Sequence, residues 1–270
     1  MDEKAYQSAV RDLLQFMRGN SWFLEQHWPL NEPHVRQMVE DVTAHLTPPE
    51  SHHVLDVGCF NGYISYLFRR LGYRVTGADM MDYSERREIF DANDIGFVLA
   101  NFNSLEPMPD VADDTFDAVI LAQVIEHILN HPLGFVTELA RVTRPGGLLI
   151  VTTPQPASIM NAWRLLKGHW SMWGTEDFMR LPKFENGEVI SHPEIHYREF
   201  LSRELVGMIE AAGYEVLEAR YLGLGVAREQ AAWKRLVKSN AVTRWLMTKR
   251  LFASNQYVLA RKRNERRSDH

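Results

Sequence analysis

An α/β fold, with a mostly parallel sheet covered by helices on both faces, is what this 270-residue sequence predicts. Three observations carry the prediction. Short β-branched runs ending in glycine or an acid recur between residues 52 and 153, and stretches of helical spacing separate them. The strand-like runs are also apolar almost throughout, instead of alternating with polar residues. That pattern belongs to strands buried on both faces.

The elements follow in order. Val10, Leu13, Leu14 and Met17, then Val35, Met38, Val39, Val42 and Leu46, stand at helical spacing, so two helices are expected, separated at Pro29 and Pro33. Residues 1–47 would form an N-terminal helical cap on a domain covering residues 48–270. After Pro48 and Pro49, HHVLDVG reads as a first strand and YISYLFRRLG as a helix closed by Gly72. RVTGAD, GFVLA, DAVILAQ and GGLLIVTT read as four further strands, with PLGFVTELARVT as a helix before the last of them. Between Pro154 and Phe200 no period emerges, yet three of the seven tryptophans (Trp163, Trp170 and Trp173) fall there, so residues 155–200 are expected to form a lid or acceptor insertion. A helix over Ser202–Ala212, a strand in YEVLEARYLG, an amphipathic stretch from Arg228 to Arg250 and a last strand in NQYVLARK complete the chain.

Composition narrows the function classes. With 45% hydrophobic residues, 7 Trp, 9 Tyr and 13 Phe, the chain has the apolar content of a folded domain. The single cysteine, Cys59, provides neither an intrachain disulfide nor a paired-thiolate zinc site, which fits a reducing compartment, the cytoplasm by default. MDEKAYQ is not a basic-then-apolar leader and no run approaches 18 apolar residues, so no membrane span is expected. From Arg228 onward there are 12 Lys and Arg against 3 Asp and Glu, whereas residues 1–227 hold 18 against 32. An acidic body argues against nucleic acid as a partner. The basic stretch carries Trp233, Val237, Ala241 and Trp245 among Lys234, Arg235, Lys238 and Arg244. It fits either a helix packed on the sheet or one resting on an anionic membrane surface.

The informative turn is VLDVGCFNGYIS. Asp56 and Gly58 end the first strand and Gly62 begins a helix, a turn that presents backbone N–H groups to a ligand at the carboxyl edge of the sheet. Asp79 ends the second strand 21 residues after Gly58, where a carboxylate can accept both hydroxyls of a ribose. A plain strand-to-helix turn and a helix N-cap are the alternatives for these positions. A dinucleotide needs a second glycine where Phe60 stands, so pyrophosphate, and with it a nicotinamide-dependent oxidoreductase, fits poorly. Asp56 suits a cationic amino group and would repel phosphate. The expected ligand carries an ammonium and a ribose.

VLDVGCFNGY, VTGADM, ANFNSLEPMPDVADDTFDAVILAQVIEHI and RVTRPGGLLIVTTP, in that order over about residues 50–155, resemble the class I S-adenosylmethionine-dependent methyltransferases. The resemblance implies a Rossmann-like methyltransferase fold, a seven-stranded mostly parallel sheet with an antiparallel last strand. It also implies S-adenosyl-L-methionine as cofactor and methyl transfer to an oxygen or nitrogen of a small molecule, a glycan or a lipid-linked precursor. A cofactor-binding module without catalysis is the alternative. By that resemblance Asp56, Gly58 and Gly62 line the methionine part and Asp79 binds the ribose. Met80 and Phe102 flank the adenine, Asn101 faces its amino group, the backbone around Ala122 and Gln123 closes the pocket, and Arg36 pairs with the cofactor's carboxylate. Two positions depart from the family pattern, which has glycine at Phe60 and aspartate at Asn101.

Methyl transfer from a sulfonium is an in-line displacement that needs alignment and, for a hydroxyl or ammonium acceptor, a base. QVIEHI follows the fourth strand, so Glu126 and His127 reach the cofactor crevice. His127 is the candidate base, its alternative being a hydrogen bond that shapes the rim, while Glu126 is expected to position a loop or helix end. In similar methyltransferases a segment like HYREF borders the acceptor pocket, which makes His196 and Tyr197, with Trp163 of the lid, candidates for substrate contact. Pro132 breaks the spacing of His127 and His131, His192 and Glu194 read as loop residues, and no carboxylate cluster is evident, so no metal is expected.

Overall fold

Local periodicity sets the order of elements in the structure, a computed structural model that describes residues 1–82, 84–168, 183–185, 188–190, 196–223, 245, 249–250 and 252–264. Helix α1 (Glu3–Phe16) is capped by the Asp2 carboxylate and α2 spans Trp28–His45. Then come β1 (His53–Val57), α3 (Tyr63–Arg70), β2 (Arg74–Asp79), α4 (Ser84–Ala92), β3 (Gly96–Leu99), β4 (Phe116–Ala122), α5 (Pro132–Val142) and β5 (Thr143–Pro154). Helix α6 (Ile159–Leu166), a hairpin of β6 (Lys183–Glu185) and β7 (Glu188–Ile190), α7 (Ser202–Ala211), β8 (Tyr214–Leu222) and β9 (Asn255–Lys262) follow.

The main sheet has the order β3-β2-β1-β4-β5-β9-β8. Neighbours among β1 to β5 pair in parallel, and β9 runs antiparallel to both β5 and β8. The last strand of the chain is therefore the antiparallel one, inserted between two others. Along β4 the side chains divide by parity: Ala118 and Ile120 join one core, Val119 and Leu121 the other. The first core is covered by α1 to α4, through residues such as Leu13, Val39, Leu67 and Phe90, and the second by α5 and α7, through Phe135, Leu139, Leu205 and Ile209. Burial on both faces is why these strands read as continuous apolar runs.

The prolines do not separate the N-terminal helices. The break falls at Met17–Gly19, a 3₁₀ turn, and is followed by a π turn over Phe23–His27 that runs directly into α2. Pro29 sits in the first turn of α2, where its missing N–H costs nothing, and Pro33 lies inside the helix. These helices share one core with the sheet: Tyr6, Phe23 and Trp28 are buried, and Asp41 of α2 accepts from Arg220 at 2.8 Å and from the Tyr257 hydroxyl at 2.5 Å. The segment after Pro154 contains α6 and the β6–β7 hairpin, neither legible from periodicity. His192, Glu194, Trp170, Trp173 and all of the 228–250 stretch except Trp245, Lys249 and Arg250 lie outside the described residues. Among the described residues no helix is long and apolar enough to cross a membrane.

The chain order reverses at β1, which lies between β2 and β4. Loops leaving the carboxyl ends of β1 and β4 therefore diverge, and the crevice between them is where open α/β sheets hold ligands.

Candidate cofactor and acceptor site

The turn after β1 needs its glycines. Gly58 has φ +70°, and a Cβ there would stand 2.3 Å from Val124 Cγ2. Gly62 has φ +79°, with Phe90 Cε1 only 2.5 Å from where its Cβ would be. Phe60, where the family pattern has glycine, does adopt a left-handed backbone, φ +45°. Its ring is 44% exposed, so it stands outside the turn rather than blocking it. The backbone of Phe60 is held from both sides: its N–H donates to Asp79 Oδ2 at 2.8 Å and its carbonyl accepts from Arg86 Nη1 at 2.8 Å. Such double restraint is what maintains an unfavourable φ.

Arg86 is the residue that sequence reasoning missed. It is 1% exposed, donates also to the Met81 carbonyl, lies 3.3 Å from Asp79 Oδ2 and stacks 4.3 Å over the Phe97 ring. A single guanidinium thus ties the glycine turn to the end of β2. No motif announces it, because its partners are carbonyls that only the folded loops bring together. Asp79 accepts from Phe60 N through Oδ2 and from Met81 N through Oδ1, at 2.8 and 2.9 Å. A carboxylate offers about four lone-pair positions, so this anchored acid retains capacity for a diol. Burial pushes its pKa up, against the backbone N–H groups and Arg86, which lower it.

Asp56 is 1% exposed, and its Oδ2 accepts from Ser65 N at 3.0 Å and Ser65 Oγ at 2.6 Å. Burial raises its carboxyl to about 6, opposed by the two Ser65 hydrogen bonds. A buried acid of this kind is favoured in its ionised form once a cation arrives. Met80 is half-buried beside Asn103, and Asn101 is exposed with its Oδ1 accepting from Asn103 N at 3.1 Å. Phe102 is buried and packs on Phe135 at 5.1 Å, inside the core under this edge. Ala122 ends β4, and Gln123, at φ +58°, donates from its N–H to the Thr152 carbonyl. Arg36 is engaged on the outer side of the N-terminal helices, with Glu3, with Glu40 at 3.1 Å and over the Tyr6 ring. A cavity of about 650 Å³ lies on the Phe60–Asn61 side of the turn, walled by Phe16, Met17 and Trp22 from the N-terminal segment.

The candidate acceptor end is assembled from distant chain. Ile125–His127 forms a 3₁₀ turn after β4. The Glu126 carbonyl accepts from Tyr197 N at 2.7 Å and Arg198 N at 3.3 Å, so the HYREF segment docks on this turn. Gln256 holds its far end through the Phe200 carbonyl at 2.5 Å. His196 consequently meets His127 edge to face, ring centroids 4.8 Å apart. Its Nδ1 lies 3.1 Å from Glu199 Oε1. Glu126 is fully buried; its Oε2 accepts from Thr153 Oγ1 at 2.9 Å while Oε1 has no hydrogen-bond partner among the described residues. Burial, opposed mainly by His196, pushes its carboxyl up to about 7. The backbone of Glu126 thus meets the HYREF segment, while its side chain bonds Thr153. One ligand atom from each of Glu126, His127 and His196 lies within 4.8 Å of the others, a donor set that spacing along the chain did not reveal. His131 instead caps α5, its Nδ1 accepting from Gly134 N. Trp163, on α6, is 55% exposed with Lys167 over its ring.

A seven-stranded sheet whose reversal point carries a glycine turn, a buried acid and an anchored β2 carboxylate defines the Rossmann-like methyltransferase class. Residues 31–219 match the family model described as a methyltransferase domain, and the chain belongs to that family. Curated relatives include proteins named ubiquinone biosynthesis O-methyltransferase. The one from Maricaulis maris is 31% identical over 141 residues, 50% of this chain and 55% of that protein. The one from Agrobacterium fabrum is 30% identical over 147 residues, 52% and 58% respectively. The chain thus spans little more than half the length of these relatives. Among solved structures, the putative methyltransferase of Haloferax volcanii, in complex with the Trm112 methyltransferase activator, has TM-score 0.58 at 17% identity, covering 98% of this chain and 97% of that one. Burkholderia thailandensis 1,6-didemethyltoxoflavin-N1-methyltransferase, with bound S-adenosylhomocysteine, has TM-score 0.52 at 16% identity, covering 97% and 91%. At these identities the structures show the shared fold.

Proposed function

We propose that the chain transfers the methyl group of S-adenosyl-L-methionine to a hydroxyl oxygen of a small aromatic molecule. The observation that carries this reading is the anchored pair at the β1–β2 edge: Asp79, fixed by Phe60 N, Met81 N and Arg86, and the buried Asp56 beside it. Asp79 would accept the ribose hydroxyls and Asp56 would face the ammonium, with Gly58 and Gly62 allowing close approach of the methionine part. Met80, Asn101 and the backbone of Phe102 would border the adenine, and Ala122 and Gln123 would close the pocket at β4. Arg36 would reach the cofactor only by exchanging its present partners. The choice of oxygen is supported by the O-methyltransferase relatives.

Displacement at a methyl needs little beyond alignment, exclusion of water and removal of the acceptor's proton. His127, with the His196 ring set against it, would border the acceptor and touch its oxygen as it loses its proton, a reading supported by the docking of the HYREF segment on the turn after β4. The 155–200 segment, including Trp163, would act as the lid of one domain over residues 48–270, capped by residues 1–47.

The test is twofold. Titration should show that S-adenosylhomocysteine binds and NAD does not. Incubation with methyl-labelled S-adenosylmethionine and 3,4-dihydroxybenzoate should label the phenol. Binding without any labelled product, across a panel of phenols and sugars, would instead favour a cofactor-binding module.

A further inference from the structure

The cavity beside the glycine turn is walled by rings that the core does not take up. Phe16, Trp22 and Phe60 line it and are 40%, 48% and 44% exposed, three of the six Phe and Trp side chains left exposed among the described residues. Their gathering in one place marks the cavity out from the rest of the surface. Two of the rings are braced from behind: Phe16 stacks on Tyr66 and Trp22 meets His27, each pair with centroids 4.9 Å apart. The third hangs from a turn whose backbone is held by Asp79 and Arg86. The walls are therefore set before anything enters, which lowers the ordering cost of binding. At about 650 Å³ the cavity has the size of a small-molecule site. Its lining falls within residues 16–22, 60–61 and 86–89, remote in the chain from the candidate acceptor end. Two polar groups decide what fits. Asn61 Oδ1 accepts from Tyr63 N at 3.4 Å, so its Nδ2, buried and without a hydrogen-bond partner among the described residues, is a donor in need of an acceptor. Glu88, on the α4 wall, has no ion-pair partner among the described residues, and its carboxylate repels anions. The Arg86 guanidinium near it is committed to Asp79 and to the Phe60 and Met81 carbonyls.

We propose that this cavity is a second ligand site, which takes an uncharged, flat molecule of fused rings bearing a carbonyl-type oxygen, and that its occupancy strengthens the hold on the cofactor. The ring system stacks on the open aromatic walls, and the oxygen accepts from Asn61 Nδ2. The coupling runs through Phe60. A ring packed on its side chain holds the left-handed turn in place, and the N–H of that turn fixes Asp79 Oδ2 at 2.8 Å. An acid already oriented binds a diol with less to order. The coupling rests on the methyltransferase reading above, whereas the site itself does not.

The probe is 7-methoxycoumarin, a neutral fused-ring carbonyl compound with no hydroxyl to methylate, titrated with the full chain and followed by its own fluorescence. It should bind at one saturable site. Trp22→Ala removes a stacking wall, while Asn61→Asp keeps the oxygen that accepts from Tyr63 N and removes the donor. Each should weaken the probe by about 10-fold, with melting temperatures close to that of the native protein. Saturating probe should raise S-adenosylhomocysteine affinity by about fivefold, and saturating S-adenosylhomocysteine should raise probe affinity by the same factor. No saturable binding below about 1 mM, or an affinity indifferent to both substitutions, would overturn the proposal. So would competitive displacement of the probe by S-adenosylhomocysteine, because the cavity would then belong to the cofactor's own site. Equal S-adenosylhomocysteine affinity with and without the probe would overturn the coupling. If the probe binds and responds to both substitutions but S-adenosylhomocysteine does not bind at all, the methyltransferase reading fails and the second site stands.

Discussion

Replacing Asp56 by asparagine should make the empty protein more stable and deprive it of its cofactor. The carboxyl is buried, and burial lifts it to about 6 from the usual 3.8. The folded state therefore holds this proton more tightly than the unfolded chain does. The stability it contributes is fully present below the unfolded value and is lost as pH rises through 6. At about 1.4 kcal/mol per pH unit, the ionised acid costs the fold about 3 kcal/mol at pH 8. Asparagine keeps an oxygen to accept from Ser65 N and Oγ, at 3.0 and 2.6 Å in the native protein, without the buried charge. In thermal melts Asp56→Asn should gain about 6–12 °C at pH 8 and much less at pH 4. Calorimetric titration at pH 8 should show S-adenosylhomocysteine affinity falling by about 30-fold or more, since a buried ammonium would lose its counter-charge. For the native protein, affinity should weaken below pH 6 as Asp56 takes up its proton. A variant no more stable than the native protein at pH 8, or one that binds equally well, would refute the reasoning.

Gly58→Ala should cost about 2–4 kcal/mol in denaturant melts, from the left-handed φ and the 2.3 Å approach to Val124 Cγ2. Adding Val124→Ala should recover the steric part and leave the backbone part. Arg86→Met should destabilise by about 3–5 kcal/mol, because the half-buried Asp79 carboxylate and the Phe60 and Met81 carbonyls lose their donor. Its remaining folded fraction should bind S-adenosylhomocysteine poorly. Glu126→Gln should flatten the native protein's loss of stability as pH rises from the usual carboxylate range through 7, read from melts between pH 4 and 8.

Strands buried on both faces announce themselves, and that is why the order of β1 to β5, the turn at Gly58–Gly62 and the acid at Asp79 were legible. The prolines of α2 misled because a proline in a first turn starts a helix as readily as one elsewhere stops it. The β6–β7 hairpin and α6 were hidden by a tryptophan-rich segment whose pattern follows neither the helical nor the strand period. Arg86 and the meeting of His127 with His196 escaped for a different reason. Their roles depend on carbonyls and rings supplied by elements remote in sequence, and spacing along a chain does not encode that proximity. Phe60 shows the reverse: a departure from the motif that is plain in the sequence proves to be a left-handed backbone with its side chain exposed.

A crystal of the full chain soaked with S-adenosylhomocysteine is the most direct trial of the central claim. The ribose hydroxyls should lie within hydrogen-bonding distance of Asp79 and the ammonium should face Asp56, with the Arg86 clamp intact. An empty crevice at saturating ligand, or the nucleoside bound away from both acids, would contradict it.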